Sequence, residues 1–333
     1  MIKVGIIGYG YWGPNIVRTF SGIDGSTVLS ICDCNQSALQ RAHQAHLNTP
    51  VTQDCNDILT SPEIDAVAVI TPVSTHFELA KKALENGKHV FVEKPFTATV
   101  AQAEELIALA EKKKLTIMVD HTFIFTGAVR KIKELVDEKA LGDLYYYDSV
   151  RVNLGLFQRD VNVIWDLAPH DFAVMDYLLD ERPVAVAACG KAHVNGQEDT
   201  AYVTALFNNN LIAHFNVNWL SPVKVRTTLI GGEKKMLVWN DLEADEKIKI
   251  YDKGVEVKSK EADYSMRVNY RSGDMYSPRV EQSEALRIET AYFLKCISEN
   301  GTPINDGRSG LRVVRMLAAC SESLKKKGRE IAL

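Results

Sequence analysis

The chain contains no apolar run approaching the ~20 residues needed to cross a bilayer, so no membrane span is expected. Its first residues, Met1-Ile2-Lys3-Val4-Gly5-Ile6-Ile7-Gly8, lack the layout of a secretory leader and read as a strand that begins at once. Cysteine is sparse: six in 333 residues, scattered at Cys32, Cys34, Cys55, Cys189, Cys296 and Cys320. That excludes a disulfide framework and predicts free thiols in a reducing cytoplasm. Cys32-Asp33-Cys34 is not a metal-ligand spacing, and no second pair matches it, so no metal site is expected. A dominant charge is missing as well. The net charge of −4 gives no global attraction to nucleic acid or an anionic membrane. The basic cluster Lys325-Lys326-Lys327-Gly328-Arg329 reads as a helix C-terminus that complements its dipole and stops at Gly328. There is no internal repeat and no low-complexity segment.

What the chain does have is the composition of a globular protein of about two domains. Through the first 120 residues, short apolar runs alternate with helix-like stretches. The runs are Lys3–Ile7, Val28–Cys32, Ala66–Ile70, His89–Val92 and Thr116–Val119; between them lie Gly13–Phe20, Ser37–His46, Thr75–Asn86 and Val100–Lys113. This alternation predicts a parallel sheet covered on both faces, which also explains why the strands are apolar throughout. The rhythm then changes. After a helix over Gly127–Glu138, strand-like segments follow at Leu144–Val150, Val184–Ala192, Thr200–Asn208, Leu211–Trp219, Val225–Gly231, Lys235–Trp239 and Lys247–Tyr251. One helix near Ala168–Leu179 interrupts them, and two more, about Glu284–Glu299 and Ser309–Lys327, close the chain. Consecutive strands without helices between them predict an antiparallel sheet. The expected fold is α/β: a doubly wound Rossmann domain over residues 1–122, then an α+β domain over 123–333 with a large, mostly antiparallel sheet.

Gly8-x-Gly10-x-x-Gly13 directly follows the first strand and opens the first helix. In that context the pattern is a dinucleotide turn. Gly8 permits the tight turn, Gly10 lets a pyrophosphate approach the backbone, and Gly13 lets the helix pack close to the strand. The helix N-terminus offers free N–H groups and the positive end of its dipole, and Pro14 gives up an N–H that has no helical partner. Tyr11 and Trp12 complete the turn as candidate cofactor contacts; Trp12 walls the nicotinamide pocket or packs at the domain boundary. Asp33 lies 20 residues beyond Gly13, at the end of the second strand. A carboxylate there accepts hydrogen bonds from ribose hydroxyls and repels a 2′-phosphate, and no Arg or Lys follows until Arg41, so NAD is preferred over NADP. The alternative for Asp33 is a plain turn residue.

Two further segments lie at strand ends, where ligands of such sheets bind. Thr71-Pro72-Val73-Ser74-Thr75-His76 supplies Thr71, Pro72, Ser74 and His76 as cofactor contacts, although Ser74 or Thr75 equally suits a helix N-cap. His89-Val90-Phe91-Val92-Glu93-Lys94-Pro95 runs a buried strand into an acid and a base, with the proline holding Lys94 away from helix. Farther on stands Trp165-Asp166-Leu167-Ala168-Pro169-His170-Asp171. Asp166 and His170 are four apart and share a face if the helix has begun. Pro169 fits only a first turn, which predicts that His170 sits near the helix N-terminus, where the dipole disfavours imidazolium. A purely structural helix start, with Asp166 as cap, is the alternative. His121 enters the cleft or caps the domain junction, and Arg151 and Asn153, on an expected strand, are candidates to face the substrate. Tyr270, in the polar stretch Tyr270-Arg271-Ser272-Gly273-Asp274, belongs to a loop that closes over substrate or is simply solvated.

Taken together, Gly8-Tyr9-Gly10-Tyr11-Trp12-Gly13, Thr71-Pro72 with His76, Gly87-Lys88-His89-Val90, Glu93-Lys94-Pro95 and the Asp166-x-x-x-His170 segment resemble the Gfo/Idh/MocA oxidoreductases, the family of glucose–fructose oxidoreductase and inositol dehydrogenase. The resemblance covers the whole chain. It implies that Lys94 hydrogen-bonds the reacting oxygen, that His170 is the general acid/base, that Asp166 holds or tunes the site, and that Glu93 lines the cofactor side. It implies a sugar or polyol substrate and a homodimer or homotetramer. The stretch Arg151-Val152-Asn153-Leu154-Gly155-Leu156-Phe157-Gln158 before Trp165 is similar to members that act at C3 of nucleotide-linked sugars, with UDP-N-acetylglucosaminuronate the specific candidate. Other readings are an inositol or free-sugar dehydrogenase, an NAD-sensing regulator, and a glycosidase-like enzyme that retains its NAD.

Overall fold

The computed structural model describes residues 1–155, 157, 158, 160–257 and 268–333, without the side chains of 255–257 and 268–270. In chain order the first elements are β1 (Ile2–Ile7), α1 (Gly13–Ser21), β2 (Ser26–Cys32), α2 (Gln36–Ala45), β3 (Val51–Thr52), α3 (Asn56–Leu59), β4 (Ala66–Val69), α4 (Val73–Glu85), β5 (His89–Glu93), α5 (Val100–Lys113) and β6 (Ile117–Asp120). A 3₁₀ turn over Thr122–Phe125 leads to α6 (Gly127–Asp137), β7 (Leu144–Leu154) and α7 (Val163–Leu178). Then come β8 (Ala185–Lys191), β9 (Thr200–Leu206), β10 (Ile212–Asn218), β11 (Leu220–Gly232), β12 (Met236–Asn240), β13 (Ile248–Tyr251), β14 (Gly254–Val257), β15 (Val268–Arg271) and β16 (Met275–Tyr276). The chain continues through α8 (Ala285–Glu299), α9 (Gly307–Lys325) and β17 (Ile331–Ala332).

These elements form two compact units: Met1–Phe125 with Ser283–Arg315, and Thr126–Gln282 with Met316–Leu333. The C-terminal helices, which chain order assigns to the second domain, are therefore shared between the two. The reason lies in side chains. Phe293 of α8 meets Phe20 of α1 and Phe91 of β5 edge-on, at centroid distances of 6.3 and 5.6 Å, and all three rings are fully buried.

In the first unit the sheet order is β3-β2-β1-β4-β5-β6, all pairs parallel. This is a doubly wound sheet, and β4 is buried at every position, as a sheet covered on both faces requires. The parallel register brings the carboxyl ends of β1, β2, β4, β5 and β6 to one edge. In the second unit a nine-stranded sheet runs β16-β13-β12-β11-β7-β10-β9-β8-β17. It is mixed: β7 and β10 pair in parallel and the remaining pairs are antiparallel. Burial alternates along β9 and β10, so one face is core and the other half-exposed. Helix α7 covers the core face, where Phe172 packs edge-on against Phe215 at 4.8 Å.

Candidate active site

In the first unit, the turn after β1 is shaped by two of its glycines. Gly8 has φ +105°, and a Cβ there would lie 2.0 Å from the Ile70 carbonyl oxygen; a Cβ at Gly13 would lie 2.6 Å from that of Gly8. Gly10 differs: among the described residues a Cβ would meet nothing within 4 Å. Its bareness therefore serves no protein contact and leaves room for a ligand against the backbone. Tyr11 is 87% exposed beside it. Trp12 is the N-cap residue of α1 and makes no side-chain cap, so the helix end keeps its amide donors and dipole for an anion. Its indole Nε1 instead donates to Asp120 Oδ2 at 3.0 Å. Asp33 closes the turn from β2, its Oδ2 accepting Tyr9 N–H at 2.7 Å and its Oδ1 accepting Asn35 N–H at 2.8 Å. Each oxygen keeps a second lone pair for ribose hydroxyls. A dinucleotide fits these residues.

The loop after β4 exposes Pro72 and Ser74 and half-exposes Thr71. Neither Ser74 nor Thr75 caps α4; its N-cap is Pro72, and the Thr75 hydroxyl donates to Thr71 Oγ1 at 2.7 Å or to the Pro72 carbonyl at 2.8 Å. His76 corrects the sequence reading. It is fully buried, with Nδ1 2.9 Å from the Pro95 carbonyl and Nε2 2.7 Å from that of Thr71. It ties the loop after β4 to the loop after β5 from behind and does not present its ring at the surface. Burial lowers its pKa despite those carbonyls. Glu93 and Lys94 follow at the end of β5, both half-buried, and the Lys94–Pro95 bond is cis. His121, just past β6, is 1% exposed.

In the second unit the chemistry gathers on α7. Asn162 caps it, with Oδ1 accepting Trp165 N–H at 3.2 Å and Nδ2 donating to Glu198 at 2.9 Å. The helix therefore begins a full turn and more before Pro169, which lies inside it. This corrects the expected helix start: His170 is two turns in, beyond the reach of the terminal dipole. Asp166 and His170 do share a face at i, i+4, and both are half-buried. Asp166 Oδ2 accepts the indole N–H of Trp219 at 3.0 Å, and Trp219 is fully buried. Trp165 is half-buried with its indole donating to Ser321 Oγ at 2.8 Å. Arg151 is a second correction. Its Nε and a terminal nitrogen hold both oxygens of Asp171, at 2.8 and 2.9 Å, with both residues buried. A guanidinium so engaged pins α7 to β7 and is not offered to substrate. Asn153 stays half-exposed on β7. Tyr270 lies in β15, and its side chain is outside the described residues.

Sequence reading missed Asp120, Asp171 and Trp219. Asp171 is adjacent to His170 and Asp120 to His121, but nothing local marks their partners.

A parallel sheet, a glycine turn kept bare for a ligand and an acid at the end of β2 define a nucleotide-binding oxidoreductase unit. Residues 2–121 match the family model described as "Oxidoreductase family, NAD-binding Rossmann fold", and residues 129–238 match "GFO/IDH/MocA C-terminal domain". The chain belongs to the Gfo/Idh/MocA family of oxidoreductases. Among its relatives, UDP-N-acetylglucosamine 3-dehydrogenase of Acidithiobacillus ferrooxidans is 26% identical over 94% of both chains, and its structure superposes with a TM-score of 0.80, covering 98% of each. The scyllo-inositol 2-dehydrogenase (NAD(+)) of Bacillus subtilis is 26% identical over 72% of each chain. An Agrobacterium radiobacter oxidoreductase in complex with NAD+, L-tartaric acid and magnesium shares the fold at 16% identity, with a TM-score of 0.80 over 99% of this chain and 98% of its own.

Proposed function

We propose that this protein is an NAD-dependent dehydrogenase that moves a hydride between the nicotinamide and a secondary hydroxyl of a sugar, at C3 of a nucleotide-linked sugar of the UDP-N-acetylglucosaminuronate kind. The observation that carries the reading is the turn at Gly10, bare toward open space, with the Asp33 carboxylate beside it. Similarity over nearly the whole chain to a UDP-N-acetylglucosamine 3-dehydrogenase supports the substrate class. When bound, the cofactor supplies the hydride acceptor. The α1 amides and Gly10 hold its pyrophosphate, and Asp33 accepts from the ribose hydroxyls and repels a 2′-phosphate, which favours NAD over NADP. Lys94 donates to the reacting oxygen and stabilises charge that develops there. His170 takes the hydroxyl proton or returns it, and Asp166, fixed by Trp219, sets the electrostatics on its face of α7. Asn153, Trp165 and Tyr270 remain proposed substrate contacts, whereas His121 is buried and is not one. The half-exposed sheet face is the proposed surface for a dimer or tetramer.

The test mixes protein with NAD and a panel of nucleotide sugars, free aldoses and inositols, following NADH absorbance and analysing products. Accumulation of NADH with a 3-keto nucleotide sugar is expected. Faster turnover of a free inositol or aldose would replace the substrate class, and glycosidic cleavage without net NADH would replace the reaction. A parallel titration is expected to show tighter binding of NADH than NADPH.

A further inference from the structure

Three carboxyl groups converge behind the nucleotide turn of the first unit. Glu93 and Asp120 end adjacent strands and are register partners, and Glu289 of α8 faces both. Glu289 is fully buried. Its Oε1 accepts one hydrogen bond, from Asn305 Nδ2 at 2.9 Å, and the same amide donates to the Val119 carbonyl at 2.7 Å. Among the described residues its buried Oε2 finds no hydrogen-bond donor. Asp120 is buried too, and both its oxygens already accept, Oδ2 from the Trp12 indole and Oδ1 from the Thr122 hydroxyl. Both oxygens are thus already engaged as acceptors.

A second anion at Glu289 would face Asp120 and Glu93 with only neutral groups, the Asn305 amide and a hydroxyl, to hold it. Burial opposes that charge, and so do the neighbouring carboxylates. The Thr122 hydroxyl is the other group against it. Burial first, and Asp120 next, hold the Glu289 carboxyl well above the usual carboxylate range. A carboxylic acid resolves the arrangement: it keeps an acceptor for Asn305 and turns its hydroxyl toward Asp120.

We infer that Glu289 is a positioning residue of the nucleotide turn: as a neutral acid it directs its O–H at Asp120, and Asp120, so held in place, anchors the Trp12 indole at the start of α1. The functional part rests on the proposed reading of Gly8–Gly13 as the dinucleotide turn; the protonation state does not.

The test has two readouts. Infrared difference spectra of the intact protein without cofactor, wild type against Glu289→Gln at pH 7.5, should show the carbonyl band of a protonated carboxyl in the wild type only. Its absence overturns the neutral acid. Fluorescence titration with NADH should find Glu289→Ala about tenfold weaker, with Glu289→Gln, which keeps a donor and an acceptor, restoring affinity to within about twofold. Equal losses in the two variants, or none in Glu289→Ala, overturn the positioning role. If Glu289→Ala does not fold, Trp12→Phe reads the same anchor without touching the acid, and full NADH affinity in it overturns the role. If wild type binds no NADH, the nucleotide reading fails while the infrared band still decides the state of Glu289.

Discussion

A methyl group at Gly8 would collide with the Ile70 carbonyl on a backbone at φ +105°, whereas one at Gly10 would touch no atom of the described residues within 4 Å. The two substitutions should therefore separate. Gly8→Ala is expected to lower the thermal midpoint markedly, and Gly10→Ala to leave it unchanged while weakening NADH binding; calorimetry and titration check each. Lys94→Ala and His170→Ala should each lose roughly two or more orders of magnitude in turnover while still binding NADH, which steady-state kinetics measures. Asp171→Ala strands the Arg151 guanidinium in the core and should cost about 3–5 kcal/mol in denaturant unfolding. At this scale, what the sequence discloses depends on distance along the chain. The glycines, Asp33 and Lys94 sit in local strings that backbone geometry dictates. Trp219 and Asp166 meet across 53 positions, and Arg151 and Asp171 across 20, so no short pattern records either pair. Arg151 consequently read as a substrate contact when its charge was already committed.

Among the elements, α7 departs most from its sequence pattern. The proline suggests a start near residue 168, yet Asn162 supplies a cap six residues earlier and the helix accepts Pro169 in its interior, giving up the N–H that would have met the Trp165 carbonyl. An N-cap outweighs a proline here because α7 is buried along most of its length against the sheet. Asn162→Ala should remove the cap and the bond to Glu198, costing about 1 kcal/mol or somewhat more by chemical denaturation. Apart from the one-turn α3, the remaining helices and the long strands were legible to within a few residues, since each buries a face with its own period. The two-residue strands β3, β16 and β17 were not, because two residues carry no period, and neither were β14 and β15, the latter holding the Tyr270 and Arg271 that read as loop.

For the whole molecule, two buried groups of the first unit give the stability profile opposite slopes. The His76 ring titrates below its usual value in the folded state, so the unfolded chain binds the extra proton and stability falls as pH drops below about 6.5. Glu289 titrates above its usual value, so its contribution is fully present below about 4.3 and is lost as pH rises toward its folded value. Denaturant midpoints against pH should show Glu289→Gln flattening the alkaline side and His76→Asn the acid side. The two sheet classes were legible from the order of strands and helices, and the family from the local motifs. The return of α8 was not, because a Phe293 that covers Phe20 and Phe91 looks like any core residue in sequence.

That return has a consequence for biosynthesis. The residues that cover the Phe20–Phe91 side of the nucleotide unit are translated only after eight strands of the nine-stranded sheet, all but β17. The first 125 residues must then wait with an aromatic face uncovered, a natural client surface for a nascent-chain chaperone.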